Sequence, residues 1–414
     1  MIGQIADTMK KNLALRLSAA PYLTVLIDGD SDISNIECEI VYVRLLENGK
    51  PTNILVGQQT LEHSHALGVL NATKAAFDAV DCPGNEWMKN CVAFGADGAS
   101  DNMGIRNGVI AHLQSEAGSH VIPIHCMPHR LELAILNLQK KEAKVAVVYD
   151  LLHLIWNTYH MSGKLKRELY ALGELLGVNM CSPSGVKGTR WIPHIHRALK
   201  VFLRHGPGKD LASDHDQYSV VLQHMEQVAA SQSNSAEVQG RAKKIKKEME
   251  TTLFCVFSHF LCDLFEELAT LSLTLQRNDL ILPQATTILK TTVTSLEALK
   301  TKTKPGGLLE KIQTAFAQQQ GDEMRFQGMT LKGDVISLTH PQLNSHVEAV
   351  VNISVDAIKA RFGGLVKDDA IHTTLDCFRV LNPDTWPEEP ANLLTFGDDS
   401  VEELLRHFEK PLTG

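Results

Sequence analysis

Two aspartates that follow apolar segments are the residues of this 414-residue sequence best suited to metal-assisted chemistry. Asp28 directly follows the apolar run Tyr22–Ile27, and Asp97 directly follows the apolar run Cys91–Ala96. A carboxylate beside a buried strand is costly unless it is paired, hydrogen-bonded or bound to a metal. On neighbouring strands such a pair can hold Mg²⁺, which prefers hard oxygen ligands and activates water for phosphoryl transfer.

A simpler interpretation of the same residues stays open. Asp28-Gly29 and Asp97-Gly98 are also typical of the transition from a strand to a turn. Asp30 and Asp32 extend the first acidic segment. Three alternating acids could bind a cation by themselves, but the sequence favours a solvated loop for them.

A Cys-x-x-His pair, Cys126 and His129, follows a further predicted strand. A structural zinc site needs four ligands, and no second matching pair occurs, so we expect no zinc site. The two remaining interpretations are side chains packed beneath the sheet, which we favour, and a polar bridge that supports the acidic residues.

Arg190 and Trp191 follow the small-residue loop Ser182–Gly188. An indole beside a guanidinium can stack on an unpaired base while its neighbour contacts a phosphate. A single Trp at the start of a helix is more often part of the core, and the sequence alone favours that role for Trp191.

Basic residues are concentrated in Lys164–Arg167 and in Arg241–Lys247. The second run contains Lys243, Lys244, Lys246 and Lys247. Such a run can bind along a nucleic-acid backbone, act as a nuclear localisation signal, or form one solvated face of a helix. Glu248 and Glu250 reduce the net positive charge of this segment. The sequence favours neither a functional role for the run nor a solvated helix face.

The elements that would position these residues are an α/β region followed by an all-helical one. An Asn48-Gly49 pair between two β-rich runs predicts a hairpin with a type I′ turn. Strand and helix signals then alternate, which favours a mixed sheet with helices on its faces, the ribonuclease-H-like layout. The predicted strands are Tyr22–Ile27, Glu39–Leu46, Thr52–Gln59, Cys91–Ala96 and Val121–Cys126, and the predicted helices among them are His65–Val80, Gly104–Glu116 and Leu131–Leu138.

Beyond residue 145 the strand signals almost vanish. We predict three regions: an incomplete ribonuclease-H-like core over 1–145, an all-helical insertion over 146–380, and a linker with a short acidic helix over 381–414. The predicted helices here are Tyr149–Leu176, Trp191–His205, Lys209–Glu237, Arg241–Leu275, Leu280–Lys300, Pro341–Phe362, Ala370–Val380 and Asp399–Phe408.

Composition excludes several classes of protein. With 44% hydrophobic and 21% charged residues, the chain can bury a core and is not disordered throughout. Its net charge of −8 argues against a protein whose whole surface binds nucleic acid. Eight cysteines without a Cys-x-x-Cys pair indicate reduced thiols in the nucleus or cytosol. The pattern of Ile2–Ser18 predicts an amphipathic helix rather than a signal peptide. The charged residues within Leu253–Leu268 exclude a membrane-spanning helix in that segment.

Four segments in order, LTVLIDGDSD, FGADGASDNMG, HCMPHRLELAI and GTRW, resemble the hAT superfamily of DNA transposases, especially its domesticated, zinc-finger-associated vertebrate members. The resemblance implies a ribonuclease-H-like core interrupted by a helical insertion. It matches Asp28 and Asp97 to the first two acids of an Asp-Asp-Glu triad. It matches Cys126 and His129 to a Cys-x-x-His element beside the active site, and Trp191 to a Trp that handles flipped bases.

The sequence also departs from the family. The third acid of the triad lies in a Ser/Cys-Glu-Arg-x-Phe-Ser-like stretch that we do not find, and no BED-type finger precedes the core. We therefore expect a domesticated or truncated, catalytically inactive protein that acts as a nuclear nucleic-acid- or protein-interaction module. The expected partners are DNA, bound weakly, and other proteins, but no membrane; homodimerisation is unsupported because the dimerisation segment is absent.

Two alternatives remain. One is an active DNA transposase or nuclease core that uses two-metal phosphoryl transfer, with Mg²⁺ at Asp28 and Asp97. The other is a metal-dependent hydrolase on a different α/β sheet, which explains the acids but neither the Cys-x-x-His element nor the Thr-Arg-Trp segment. Nuclear localisation follows from the resemblance and the basic run; the cytoplasm is the alternative.

Overall fold

A computed structural model describes residues 1–31, 33–82, 86–186, 190–320, 323–363, 374 and 377–413. The chain divides into two compact units. The first comprises Met1–Arg130, Thr274–Thr287 and Phe362–Gly414, and the second comprises Leu131–Leu273 and Ile288–Arg361.

The first unit is built on a five-stranded mixed sheet of order β3-β2-β1-β4-β5. β1, β2 and β3 form an antiparallel meander, whereas β4 pairs in parallel with β1, and β5 pairs in parallel with β4. The prediction of a mixed sheet within an α/β-plus-helical chain is thereby confirmed. The strands are β1 (Leu23–Ser31), β2 (Glu37–Glu47), β3 (Lys50–Thr60), β4 (Cys91–Ala96) and β5 (Ile122–His125).

The β2–β3 hairpin turns at the predicted pair of residues. Asn48 and Gly49 have φ angles of 51° and 75°. A two-residue turn with positive φ at both positions matches the twist of the strands, which is why the Asn-Gly pair marks it in the sequence. The hairpin prediction is confirmed.

The helices occupy most of the remaining chain. In order they are α1 (Ile2–Ala19), α2 (Ala66–Asp78), α3 (Glu86–Lys89), α4 (Ser100–Met103), α5 (Val109–Ala117), α6 (Met127–Ile135), α7 (Leu138–Lys141), α8 (Ala143–His160), α9 (Gly163–Leu175), α10 (Trp191–Phe202), α11 (Gln217–Ala230), α12 (Ala236–Met249), α13 (Thr252–Leu275), α14 (Leu282–Ala298), α15 (Leu308–Ala317), α16 (Pro341–Arg361), α17 (Pro390–Leu393), α18 (Asp398–His407) and α19 (Glu409–Thr413).

One face of the sheet forms the core of the first unit. Val25 and Ile27 of β1 lie opposite Val43 and Val41 of β2, and all four are buried. The period-two alternation of apolar residues therefore directs one side of both strands inward. Apolar residues from α1, α2 and α5 complete this core.

The second unit is helical, with α13 supplying much of its interior. Phe254, Phe257, Phe260 and Phe265 of this helix are fully buried. The unit also contains a short hairpin, β6 (Met324–Phe326) and β7 (Met329–Leu331). Strands of three residues are too short to produce an alternating pattern, so the sequence did not predict them.

Two long predicted helices are each divided in the structure. Tyr149–Leu176 becomes α8 and α9, because the Ser162 hydroxyl accepts a hydrogen bond from the Leu165 amide and starts a new helix. Arg241–Leu275 is divided between α12 and α13, where the Thr251 hydroxyl accepts one from the Phe254 amide. Most of the predicted helix Ala370–Val380 lies outside the described residues.

The described helices include none that is long and apolar enough to cross a lipid bilayer.

Candidate acidic site

The strand that carries Asp28 and the strand that precedes Asp97 lie side by side in the sheet. β1 and β4 are parallel neighbours, with Leu26 paired to Gly95. The described β1–β4 ladder ends at this pair, two residues before Asp28 and Asp97. The expected pairing of the first and fourth strands is therefore found.

The surroundings of Asp28 differ from the expectation. β1 does not end at Ile27 but continues to Ser31, with Asp28 paired to Ile40 of β2. Asp28 and Asp30 are exposed on this extension, and Asp32 lies outside the described residues. The prediction of a buried Asp28 is wrong, so desolvation of this carboxylate does not by itself require a metal.

Asp97 forms the turn that follows β4. Its Oδ1 accepts hydrogen bonds from the Ala99 amide at 3.1 Å and from Asn102 Nδ2 at 2.7 Å. This is the local side-chain-to-backbone bonding that makes Asp common after strands. The turn interpretation and the site interpretation of Asp97 are therefore compatible.

A third carboxylate, Glu39 of β2, belongs to the same edge and was missed in the sequence. Its side chain is only 3% exposed. Within the described part of the chain, Glu39 Oε1 has no hydrogen-bond partner. Burial, together with the negative charges of Asp28 and Asp97, raises the pKa of Glu39 to about 7.

The sequence did contain a signal for Glu39. It stands in phase with Val41, Val43 and Leu45 on β2, all of which are buried. An acid on the apolar face of a strand is unusual, and alternation alone would have identified it.

Gly29 makes room for the Glu39 carboxylate. The two residues are paired across the β1–β2 ladder. Glu39 Oε2 lies 3.2 Å from the position that a Cβ atom at residue 29 would occupy. The carboxylate therefore extends from β2 over the backbone of β1, the strand that lies between β2 and β4.

The Cys-x-x-His element lies at the end of β5 and is not packed beneath the sheet. Cys126 and His129 are both exposed, so the favoured packing interpretation is wrong. Cys126 directly follows β5, with its amide donating to the Ala96 carbonyl at 2.7 Å, whereas His129 lies on α6, which begins at Met127. His125 packs instead: a Cβ atom at Gly98 would lie 2.2 Å from its ring.

The carboxylates fit Mg²⁺ by donor type but do not form a closed cage. Carboxylate oxygens are hard ligands of the kind that Mg²⁺ prefers, and Glu39 Oε1 accepts no hydrogen bond from any described residue. However, no group of three His, Cys, Asp or Glu side chains among the described residues is arranged to hold a metal ion. Cation binding would therefore require side-chain movement.

Trp191 is part of the core of the second unit. It is 6% exposed, with ring centroids 5.2 Å from Phe265 and 6.1 Å from Tyr149. The core interpretation is confirmed, and stacking on a base would require the indole to leave this packing. Arg190 is exposed just before α10; residues 187–189, which include the start of the Gly-Thr-Arg-Trp segment, lie outside the described residues.

The basic run lies on α12 and presents fewer available charges than its sequence suggests. Lys243, Lys244 and Lys247 are exposed. Lys246, in contrast, pairs with Glu226 at 2.7 Å and with Glu250 at 3.0 Å. Lys246 is therefore removed from the expected nucleic-acid contacts, because its charge is already compensated.

A comparison with models of known protein families gives no match to this chain.

Proposed function

We propose that this protein derives from a transposase of the hAT kind and acts as a nuclear module that interacts with nucleic acid or other proteins. The observation that supports the proposal is the parallel pairing of β1, which carries Asp28, with β4, which Asp97 follows. An antiparallel meander followed by two parallel strands, with one acid on the first strand and one directly after the fourth, is what a ribonuclease-H-like core requires.

The proposal assigns the acidic residues a role other than complete strand-transfer catalysis. These 414 residues contain no Glu-Arg-x-Phe-Ser stretch for the third acid of the triad. Asp28 and Asp97 would hold Mg²⁺. Bound there, the cation would supply charge neutralisation and activated water for phosphoryl transfer. The protein's own contribution is to align the two carboxylates through the β1–β4 register.

The exposed lysines of α12 support weak binding to a phosphate backbone. Lys243, Lys244 and Lys247 put three charges on one short helical segment, within a chain whose net charge is −8. Such contacts release counterions, so the affinity falls steeply with salt and carries little sequence preference.

Fluorescence anisotropy with a labelled DNA duplex tests this proposal at salt concentrations from about 50 to 200 mM. We expect weak binding, and we expect the triple variant Lys243→Gln/Lys244→Gln/Lys247→Gln to reduce the slope of log K against log salt by about 2 to 3. The control variant Lys290→Gln/Lys302→Gln/Lys311→Gln removes the same charge from exposed positions elsewhere. Equal slopes for the two variants would remove α12 from the proposal.

A second candidate function is Mg²⁺-dependent DNA cleavage. The observation that favours it is Glu39, a buried third carboxylate whose pKa the charges of Asp28 and Asp97 raise. A nicking assay on supercoiled DNA distinguishes the two candidates. If the protein is an interaction module without catalytic activity, the wild type should nick DNA no more than Asp28→Asn does. Mg²⁺-dependent nicking that Asp28→Asn and Asp97→Asn both abolish would replace the module with the enzyme.

A further inference from the structure

Helix α1 carries an apolar stripe of which the first half is exposed. Leu13 and Leu17, in the second half of the helix, are buried in the core of the first unit. The stripe continues toward the start of α1 through Met9, Ile5 and Ile2, because residues three or four apart share one face of a helix. The side chains of these three residues are between 54% and 84% exposed. The first half of α1 therefore presents an apolar surface beyond the core that its second half helps to form.

A second exposed apolar stripe lies on the acidic helix α18. Val401 and Leu405 are four residues apart and are 44% and 55% exposed. The helix itself is attached to the first unit, since Phe408, which directly follows it, has its ring centroid 6.2 Å from that of Phe378. Val401 and Leu405 are therefore exposed on a helix that is held in place.

Both helices are attached near the start of β4. The Asn90 side chain donates a hydrogen bond to the carbonyl of Ala20, directly after α1, at 3.0 Å. His407 Nε2 of α18 lies 3.0 Å from the carbonyl oxygen of His120. His120 Nε2 in turn lies 3.2 Å from the carbonyl oxygen of Cys91, the first residue of β4. The two helices are consequently attached to the same end of the sheet.

The residues that flank the two stripes carry opposite charges. Lys10 directly follows Met9 on α1, and Glu402 directly follows Val401 on α18; both charged side chains are exposed. One residue is a rotation of about 100° around a helix, so Lys10 and Glu402 lie on the same flank of their respective stripes. Asp398, also exposed, lies one turn before Glu402 on that flank. When two helices pack face to face in antiparallel orientation, their equivalent flanks meet, so this orientation brings the lysine to the acids.

We infer that α1 of one copy of this chain packs antiparallel against α18 of a second copy, and that the reciprocal contact completes a two-fold dimer. Ile5 and Met9 are four residues apart, as are Val401 and Leu405. In the register that this spacing defines, Ile5 lies opposite the partner's Leu405, and Met9 lies opposite the partner's Val401. A two-fold axis forms the contact twice and so doubles the apolar area that is removed from water.

The same register accounts for the flanking charges. It puts Lys10 between the partner's Asp398 and Glu402, so a cation on each copy meets two anions on the other. Such pairs select the orientation of the helices more than they strengthen the contact. The inference does not depend on the proposed function, because neither helix contains a residue that was assigned a role there.

Sedimentation velocity of the full chain at concentrations from about 1 to 100 μM tests the inference. We expect the wild type to form a dimer. Ile5→Glu and Leu405→Lys should each weaken association at least about tenfold, because each buries a charge in an apolar contact. An equimolar mixture of these two variants should associate again. In the mixed dimer the two introduced charges are opposite in sign and face each other, while the second contact has the wild-type residues.

Leu15→Glu is the matched control. Leu15 is 69% exposed, but it lies outside the stripe, ten residues after Ile5 and beyond the end of the inferred contact. Its dimer should be as stable as that of the wild type. Both test positions are exposed, so we expect folded variants, and circular dichroism checks this. If either variant does not fold, Met9→Glu and Val401→Lys provide the same test at the neighbouring pair.

Four results would overturn the inference. A wild type that is monomeric at about 100 μM would exclude a second copy as the occupant, even if another protein binds these helices. A dimer that neither variant weakens would have a different interface. Weakening by Ile5→Glu alone would mean that α1 pairs with itself. Weakening by both variants, without association of their mixture, would show that the two stripes do not pair with each other. The DNA-binding measurement on α12 is independent of all four.

Discussion

Glu39 faces Gly29 across the β1–β2 ladder, and its carboxylate lies against the position where a side chain of residue 29 would begin. The sheet therefore accommodates a buried acid by omitting a side chain from the neighbouring strand. The arrangement has an energetic cost, because the carboxyl group is desolvated and lies close to the charges of Asp28 and Asp97.

The first prediction concerns the pH dependence of stability. The pKa of Glu39 is raised from 4.5 to about 7 on folding, so the folded state binds this proton more tightly than the unfolded state does. The favourable contribution is complete below about pH 4.5 and is lost as the pH rises through about 7. We expect this group to lower the free energy of unfolding by about 3 kcal/mol over that interval.

Urea unfolding of the wild type and of Glu39→Gln, without divalent cations, measures this contribution. The variant cannot ionise at residue 39, so its stability should decline less between pH 4.5 and pH 7 than that of the wild type. Glu37→Gln, at an exposed position, should follow the wild type. Parallel profiles for wild type and Glu39→Gln would show that Glu39 titrates normally.

The second prediction concerns the contact between Gly98 and His125. A Cβ atom at residue 98 would lie 2.2 Å from the imidazole Cε1. We therefore expect Gly98→Ala to displace the ring and to destabilise the protein by about 1 to 3 kcal/mol, as overpacking does. Gly240→Ala is the control, because no atom lies within 4 Å of the Cβ position at this helical residue. It should be neutral or stabilising by up to about 1 kcal/mol, and an equally mild effect of Gly98→Ala would contradict the contact.

The third prediction separates the two roles considered for Trp191. Since the ring is buried against Phe265 and Tyr149, Trp191→Phe should lower the free energy of unfolding by about 1 to 3 kcal/mol. DNA affinity should not change at temperatures where the variant is folded. Trp386→Phe, at a residue that is 51% exposed, should cost less than about 1 kcal/mol. A large loss of DNA affinity in folded Trp191→Phe would instead support base stacking.

The sheet could be predicted from the sequence because its signals are local. Asn48-Gly49 determines a hairpin, and β4 is a continuous apolar run bounded by Asn90 and Asp97. Glu39 is the first residue of the predicted strand Glu39–Leu46 and is in phase with the buried Val41, so its burial follows from the same alternation. Register between distant strands depends on packing across the sheet, which no local pattern encodes.

Helix α15 was missed for a different reason, since its capping group comes from a distant part of the chain. Gly307 at its N-cap supplies no side-chain hydrogen bond. Instead, Asp263 of α13 accepts hydrogen bonds from the Leu308 amide at 2.8 Å and the Leu309 amide at 2.9 Å. The first turn of a helix leaves such amides unsatisfied, and a carboxylate there also interacts favourably with the helix dipole.

The fourth prediction follows from this long-range cap. Asp263→Ala leaves two amide groups without their acceptor at a position where the side chain is 3% exposed, so we expect a loss of about 2 kcal/mol or more. Asp263→Asn keeps one side-chain oxygen and should lose less. Asp356→Ala, at an exposed position in α16, should change stability by less than about 0.5 kcal/mol.

Hydrogen exchange identifies where that stability is lost. If Asp263 caps α15, exchange in Asp263→Ala should accelerate most at Leu308, Leu309 and the turn that follows, while α11 stays protected to the level of global unfolding. A uniform acceleration would instead mean that Asp263 acts on the second unit as a whole. Equal stability of Asp263→Ala and Asp356→Ala would contradict the predicted stabilisation, because desolvation of Asp263 would then offset its two hydrogen bonds.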